Sequence, residues 1–311
     1  MKTNISLILI LCLLLGACKN GNASSQSKSE TPQDTIKAIK LPAIPQMMTA
    51  QEQRADFLAK HYWDNVNFAD TNYIHHPEVT EQAWADYCDL LNHVPLETAQ
   101  QAMRNVIDRT NVDKKVFTYI TDLADKYLYD PNSPMRNEEF YIPVLEAMIA
   151  SPVLNETEKI RPQARLKLAQ KNRIGTKALN FTYTLASGAQ GSLYQLKAEY
   201  LLLFINNPGC QACTETIEGL KNAPIINQLL QEKKLVLLSI YPDEELDEWK
   251  KHLSEFPNEW INGYDKKFTI KEEQVYDLKA IPTLYLLDKD KTVLLKDATA
   301  PAIEAYLMQH Q

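Results

Sequence analysis

A chain of 311 residues with 45 % hydrophobic content is long enough to bury the cores of two domains, and its composition does not force disorder. Its formal charge of −7, from 33 basic against 40 acidic residues without a dense Lys/Arg block, excludes the electrostatic footprint of a nucleic-acid-binding protein.

At the N-terminus Lys2 precedes an apolar run from Ile5 to Leu15, which leads into Leu15-Gly16-Ala17-Cys18. The run is too short to span a bilayer as a helix, and its basic start and small-residue end mark an export signal. The tetrapeptide resembles the lipobox of bacterial lipoproteins, in which signal peptidase II cleaves before the cysteine and that cysteine is acylated. The resemblance implies a signal peptide over 1–17 and Cys18 as the lipidated first residue of a periplasm-facing membrane lipoprotein in a Gram-negative cell envelope. An ordinary secreted protein with a free Cys18 is the alternative. Residues 18–45 are polar, poor in aromatics and punctuated by Pro32, Pro42 and Pro45, which reads as a flexible tether.

From 46 to 173 apolar residues recur at helical spacing: Ala55, Leu58, Tyr62 and Val66, then Val79, Ala83, Tyr87 and Leu91, then Ala99, Ala102, Met103, Val106 and Ile107. Further such segments carry Val116, Ile120, Leu123 and Tyr127, and Phe140, Val144, Leu145 and Met148. Asn155-Glu156-Thr157-Glu158 reads as a capping box opening a last helix. Glycine is absent throughout, which favours long helices over hairpins, so an all-α domain is expected. Cys88 falls beside Tyr87 and Leu91 and reads as a packed thiol. Trp63, Trp84, Tyr62 and Tyr87 read as core, with an aromatic groove for a polypeptide as the alternative. Asp64, Asp70, His75 and His76 read as solvated loop residues. The segment, with Tyr62-Trp63-Asp64-Asn65 and Thr80-Glu81-Gln82-Ala83, resembles the helical domain of unknown function that precedes thioredoxin-like domains in some envelope lipoproteins.

From 174 to 311 the pattern changes to short apolar strands between helices. Ala178–Tyr183 and Gly191–Leu196 precede a central run, Tyr200–Ile205, and another buried run follows at Leu235–Ile240. A charged amphipathic helix is expected over Asp243–Leu253. The stretch Ala280–Asp288, a hairpin return at Lys291–Leu295 and a final helix from about Ala300 complete an α/β domain with a mixed central sheet flanked by helices.

The chemistry lies directly after the central run, in Pro208-Gly209-Cys210-Gln211-Ala212-Cys213. A strand that turns straight into Cys-x-x-Cys puts the first sulfur at a helix N-terminus, where unpaired N–H groups and the helix dipole favour thiolate over thiol. A thiol so placed is expected to ionise below the free value of about 8.5. Cys210 is therefore the expected nucleophile. Cys213, one turn on, is the expected resolving thiol that attacks a mixed disulfide on the first and releases the partner. Half of a zinc site would need a second Cys pair or closely spaced His ligands, and His75-His76 has the wrong spacing; a purely structural disulfide is the other alternative. Of five cysteines, Cys12 leaves with the signal peptide and Cys18 carries lipid, so Cys88, Cys210 and Cys213 remain as thiols.

The half from 174 onward resembles thioredoxin-fold proteins of the TlpA/ResA type on Cys210, Cys213 and the step Ile281-Pro282-Thr283. The resemblance implies that Pro282 is cis and lies against the cysteine pair as part of the catalytic site. It also implies that Ile281 and Thr283 offer backbone to an extended substrate. Three positions differ from the family pattern: Gly209 stands where Trp is usual, Ala212 where proline or another typical residue lies between the cysteines, and Thr216 where an acidic residue follows. Potential and preferred substrate are therefore not carried over.

Together these observations read as a lipid-anchored thiol:disulfide oxidoreductase that reduces protein disulfides, with no metal or organic cofactor implied. Its expected partners are disulfide-containing envelope proteins, an electron donor whose identity the sequence does not give, and the membrane through Cys18; no nucleic acid is expected. A thioredoxin-fold polypeptide-binding protein without redox turnover is the main rival. A thiol peroxidase commonly needs a nearby arginine, and no arginine follows Arg173.

Overall fold

The computed structural model describes residues 38–310, so the signal segment, Cys18 and the tether up to residue 37 lie outside the described residues. The chain is already packed before residue 46: Ile39 lies against the helical core, and the Asn65 amide donates to the Lys40 carbonyl at 3.0 Å.

Six helices follow, α1 Gln51–His61, α2 Pro77–Leu91, α3 Leu96–Arg109, α4 Lys114–Ala124, α5 Glu138–Ala150 and α6 Glu156–Ala169. The starts of α4, α5 and α6 are set by side chains that satisfy first-turn N–H groups. Asp113 accepts from Lys115 and Val116, Asn137 accepts from Phe140, and Asn155 accepts from Glu158 while Glu158 accepts in return from the Asn155 backbone. Each such cap stabilises its helix by about 0.5–2 kcal/mol. The apolar stripes converge on one core in which Trp63, Trp84, Tyr87, Phe117 and Tyr141 are buried, and Cys88 sits within it. His75 ends a short 3-10 turn, Thr71–His75, at the surface.

The second half is a seven-stranded mixed sheet built from β1 Thr182–Leu185, β2 Gln190–Ser192, β3 Tyr200–Ile205, β4 Leu235–Tyr241, β5 Ile261–Tyr264, β6 Thr283–Asp288 and β7 Val293–Lys296. The spatial order is β2-β1-β5-β4-β3-β6-β7. Helices α7 Gln211–Lys221, α8 Pro224–Gln231, α9 Leu246–His252, α10 Thr269–Glu272 and α11 Ala300–Gln309 connect and cover it. This is a thioredoxin-like fold behind a helix-rich N-terminal region.

Strand β3 is central because both its faces are apolar. Leu202 and Phe204 point into the core under α7, α8 and α11, while Leu201, Leu203 and Ile205 point into the opposite core, the period-2 alternation of a strand buried on both sides. It pairs parallel with β4 through the α7–α8 crossover and antiparallel with β6, with Ile205 opposite Thr283. That register brings the segment leaving β3 and the segment entering β6 to the same end of adjacent strands. The first strand starts four residues later than the apolar alternation from Ala178 suggests. Ala178 N–H donates to the Lys291 carbonyl and Leu179 N–H to the Asn172 side chain, so residues there are held by loop contacts and not by a ladder.

Candidate redox site

Beyond Ile205 the chain turns through Asn206–Gly209. Gly209 has φ +74°, a left-handed conformation that costs an L-residue roughly 1–2 kcal/mol, which accounts for glycine directly before the first cysteine. Cys210 is the N-cap of α7, with extended backbone and no side-chain cap, and its carbonyl accepts from Thr214 N–H at 3.0 Å. Its sulfur is half-buried at the positive end of an 11-residue helix.

Cys213 lies one turn in and is 2 % exposed. Burial pushes its thiol up to about 12. A hydrogen bond and charge interaction with Cys210 add to the rise, against an opposing backbone contact from Asn207. The pair is thus asymmetric: Cys210 is half-buried and Cys213 is shielded behind it.

The β3–β6 register puts Pro282 opposite this pair. The Ile281–Pro282 peptide is cis, and the Cys210 thiol donates to the Ile281 carbonyl at 3.7 Å. That donor disappears when the sulfur becomes thiolate. Thr283 is buried, with its hydroxyl donating to the Ala280 carbonyl at 2.5 Å, so its side chain braces the loop while its backbone enters β6. The structure therefore gathers Cys210, Cys213, Ile281, Pro282 and Thr283 at one place. Cys88 is remote from it, in the helical core, where burial pushes its thiol up to about 12.

The proline loop is also held from the helical region. Lys171 donates to the Gln274 carbonyl at 2.7 Å, and Asn172 donates to the Val275 carbonyl at 2.7 Å. Glu138, at the first position of α5, binds Lys279 at 2.5 Å and also pairs with Lys296. Asp277 lies 3.2 Å from the Lys279 nitrogen, outside hydrogen-bond alignment, and Asp297 lies 3.8 Å away. Burial alone would lower the Lys279 ammonium; the carboxylates of Glu138, Asp297 and Asp277 more than offset this and hold it above the ordinary lysine value. Sequence reading missed this cluster. Its available signal was Asp277 and Lys279, two charged residues inside an otherwise apolar approach to Ile281-Pro282.

A groove of about 480 Å³ runs beside Pro282, between Pro131, Asn132 and Arg136 of the helical region and Glu215, Asp297 and Pro301 of the sheet domain. Such a volume lies in the range of roughly 300–1,000 Å³ usual for ligand sites. Among the described residues no group of three or more His, Cys, Asp or Glu side chains is placed to hold a metal ion.

Residues 17–172 match the family described as a domain of unknown function (DUF5106), and residues 198–293 match a thioredoxin-like family (Thioredoxin_8). A crystal structure of a thioredoxin-like protein from Bacteroides caccae is 84 % identical over 89 % of this chain and 100 % of that one, with a TM-score of 0.87. The C-terminal domain of an uncharacterized protein from Bacteroides fragilis is 69 % identical over 44 % of this chain and 98 % of its own, with a TM-score of 0.44. A conserved protein of unknown function from the same species is 36 % identical over 43 % and 98 %, with a TM-score of 0.43. No curated protein matches the chain.

Proposed function

This chain belongs to the thioredoxin-like proteins that carry a DUF5106 domain, and from that premise we propose that it is a thiol:disulfide oxidoreductase of the TlpA/ResA type that reduces disulfides in polypeptides. The observation that carries the proposal is the asymmetric pair: a reachable Cys210 at a helix N-terminus backed by a 2 % exposed Cys213.

In the proposed cycle the Cys210 thiolate attacks one sulfur of the substrate cystine. The substrate S–S bond breaks, a mixed disulfide forms, and the departing sulfur leaves as a thiolate that takes up a proton. Cys213 then loses its proton and attacks the Cys210 sulfur, releasing the second substrate thiol and leaving a Cys210–Cys213 disulfide. Two electrons pass to the substrate, and a dithiol donor returns them to the pair by the same exchange in reverse. The high Cys213 value suits this order, since a neutral buried thiol does not compete with Cys210 for external disulfides.

The cellular setting proposed for this activity is the periplasmic face of a membrane, with Cys18 acylated; the Leu15-Gly16-Ala17-Cys18 match supports that reading. Its test is metabolic acyl labelling: label on the wild type, none on Cys18→Ala, and a wild type that is soluble and unlabelled would overturn it. The test of the redox reading is steady-state reduction of insulin with dithiothreitol as donor. Turnover abolished by Cys210→Ser supports it. A protein that binds polypeptide without turnover would instead be the non-redox binding module.

A further inference from the structure

The loop that carries Pro282 separates two cavities. Ile281 lines both the groove of about 480 Å³ described above and a second of about 330 Å³ on its other side. The helical region walls each: Pro131, Asn132 and Arg136 close the first, and Leu168 near the end of α6 closes the second. Because the Ile281 carbonyl faces the Cys210 thiol, the ridge between the two cavities is also the approach to the nucleophile.

Charge narrows the choice of occupant. In the first cavity Arg136 faces Glu215 and Asp297; in the second Lys271 faces Asp243 and Asp277, with Lys271 already paired to Asp243 at 2.8 Å. Asp297 and Asp277 lie beside the buried Lys279, so each side keeps one cation matched by one carboxylate and offers no free positive charge to seat a small disulfide that carries several carboxylates of its own. A compact ligand would also fill only one side of the ridge, whereas an extended chain crosses it and uses both.

We propose that the helical region completes a two-sided docking groove, in which a client polypeptide with neutral or basic residues around its cystine lies extended across Ile281 with flanks in both cavities. This rests on the redox reading above and gives the helical region a role in that reading: it selects polypeptide clients by walling the approach to Cys210. The binding free energy of the flanks is then realised only by substrates long enough to reach both walls.

The test compares insulin with hydroxyethyl disulfide, a small neutral substrate, as the ratio of their kcat/KM values in the full chain. Asn132→Trp fills the first cavity from an exposed loop position and Leu168→Trp fills the second; circular dichroism checks folding of each. If Leu168→Trp fails to fold, Lys271→Trp fills the same cavity from an exposed position on its opposite wall. Each filling variant is expected to lower the insulin-to-small-disulfide ratio by about tenfold or more, the size of a lost interface anchor. An unchanged ratio in either cavity's variant overturns the two-sided groove, as does a wild-type preference for oxidised glutathione over insulin. A wild type that turns over neither insulin nor hydroxyethyl disulfide overturns the redox reading itself, which keeps the two failures distinct.

Discussion

Glu138 joins two parts of the chain that sequence distance separates by 141 residues, and its removal has a magnitude that follows from burial. Its side chain is 12 % exposed, and those of Lys279 and Lys296, which it holds together, are 6 % exposed each. Glu138→Gln keeps the shape but removes the charge, leaving both ammonium groups to Asp277, Asp297 and the Lys171 carbonyl. Removing one partner of a buried pair costs about 3–5 kcal/mol, and the lost carboxylate at the α5 N-terminus adds about 0.3–1 kcal/mol at most. Replacing both partners, Glu138→Leu with Lys279→Met, is expected to cost less than the sum of the single changes by about 0.5–3 kcal/mol. Equilibrium urea unfolding of the wild type, Glu138→Leu, Lys279→Met and the double variant reads the cycle. Lys279 sets the sign with pH: its folded value is raised, so its contribution is present below the ordinary lysine value and is lost as pH climbs through the folded one. A single-variant cost below about 1 kcal/mol with additive behaviour, as at exposed ion pairs, would refute the buried-clamp argument.

Three further outcomes follow from the thiol geometry. Cys213→Ser is expected to accumulate mixed disulfides with insulin chains while Cys210→Ser does not, read on non-reducing gels; equal trapping by both would reverse the order of attack. With iodoacetamide at pH 8, peptide mapping is expected to find carboxamidomethyl on Cys210 well before Cys213 or Cys88, whose thiols burial pushes up to about 12; prompt labelling of Cys88 would contradict its core position. Gly209→Ala is expected to destabilise the fold by roughly 1–2 kcal/mol because its φ of +74° is left-handed, although a Cβ there meets no atom within 4 Å; an unchanged unfolding midpoint would show that the turn relaxes.

Why some of this was legible and some not is visible in single residues. Cys210 and Cys213 announce themselves because an apolar run, a Pro-Gly turn and two cysteines at one-turn spacing are all local. Pro282 needed the family resemblance, since only the β3–β6 register, Ile205 opposite Thr283, explains why a proline 72 residues after Cys210 stands against it. The helical core was legible from its period, whereas Ala178–Phe181 mimicked a strand by its apolar content, although only Ala178 and Phe181 are buried, three positions apart, and its backbone is held by Lys291 and Asn172. Glu138 with Lys279 and Lys296, and the Pro131–Arg136 wall, were invisible. An ion-pair cluster that joins residues far apart in sequence leaves no periodic trace, and a loop that lines a cavity has the same polar composition as one that lines nothing.

Whether Cys210 and Cys213 form a working redox pair is read by a redox titration of the full chain, followed by thiol alkylation and mass spectrometry across a series of dithiothreitol ratios. A reversible two-electron transition confined to Cys210 and Cys213 is expected, with Cys88 reduced throughout and insulin turnover that follows the reduced fraction. A pair that fails to interconvert, or turnover that persists in Cys210→Ser, would contradict the redox reading.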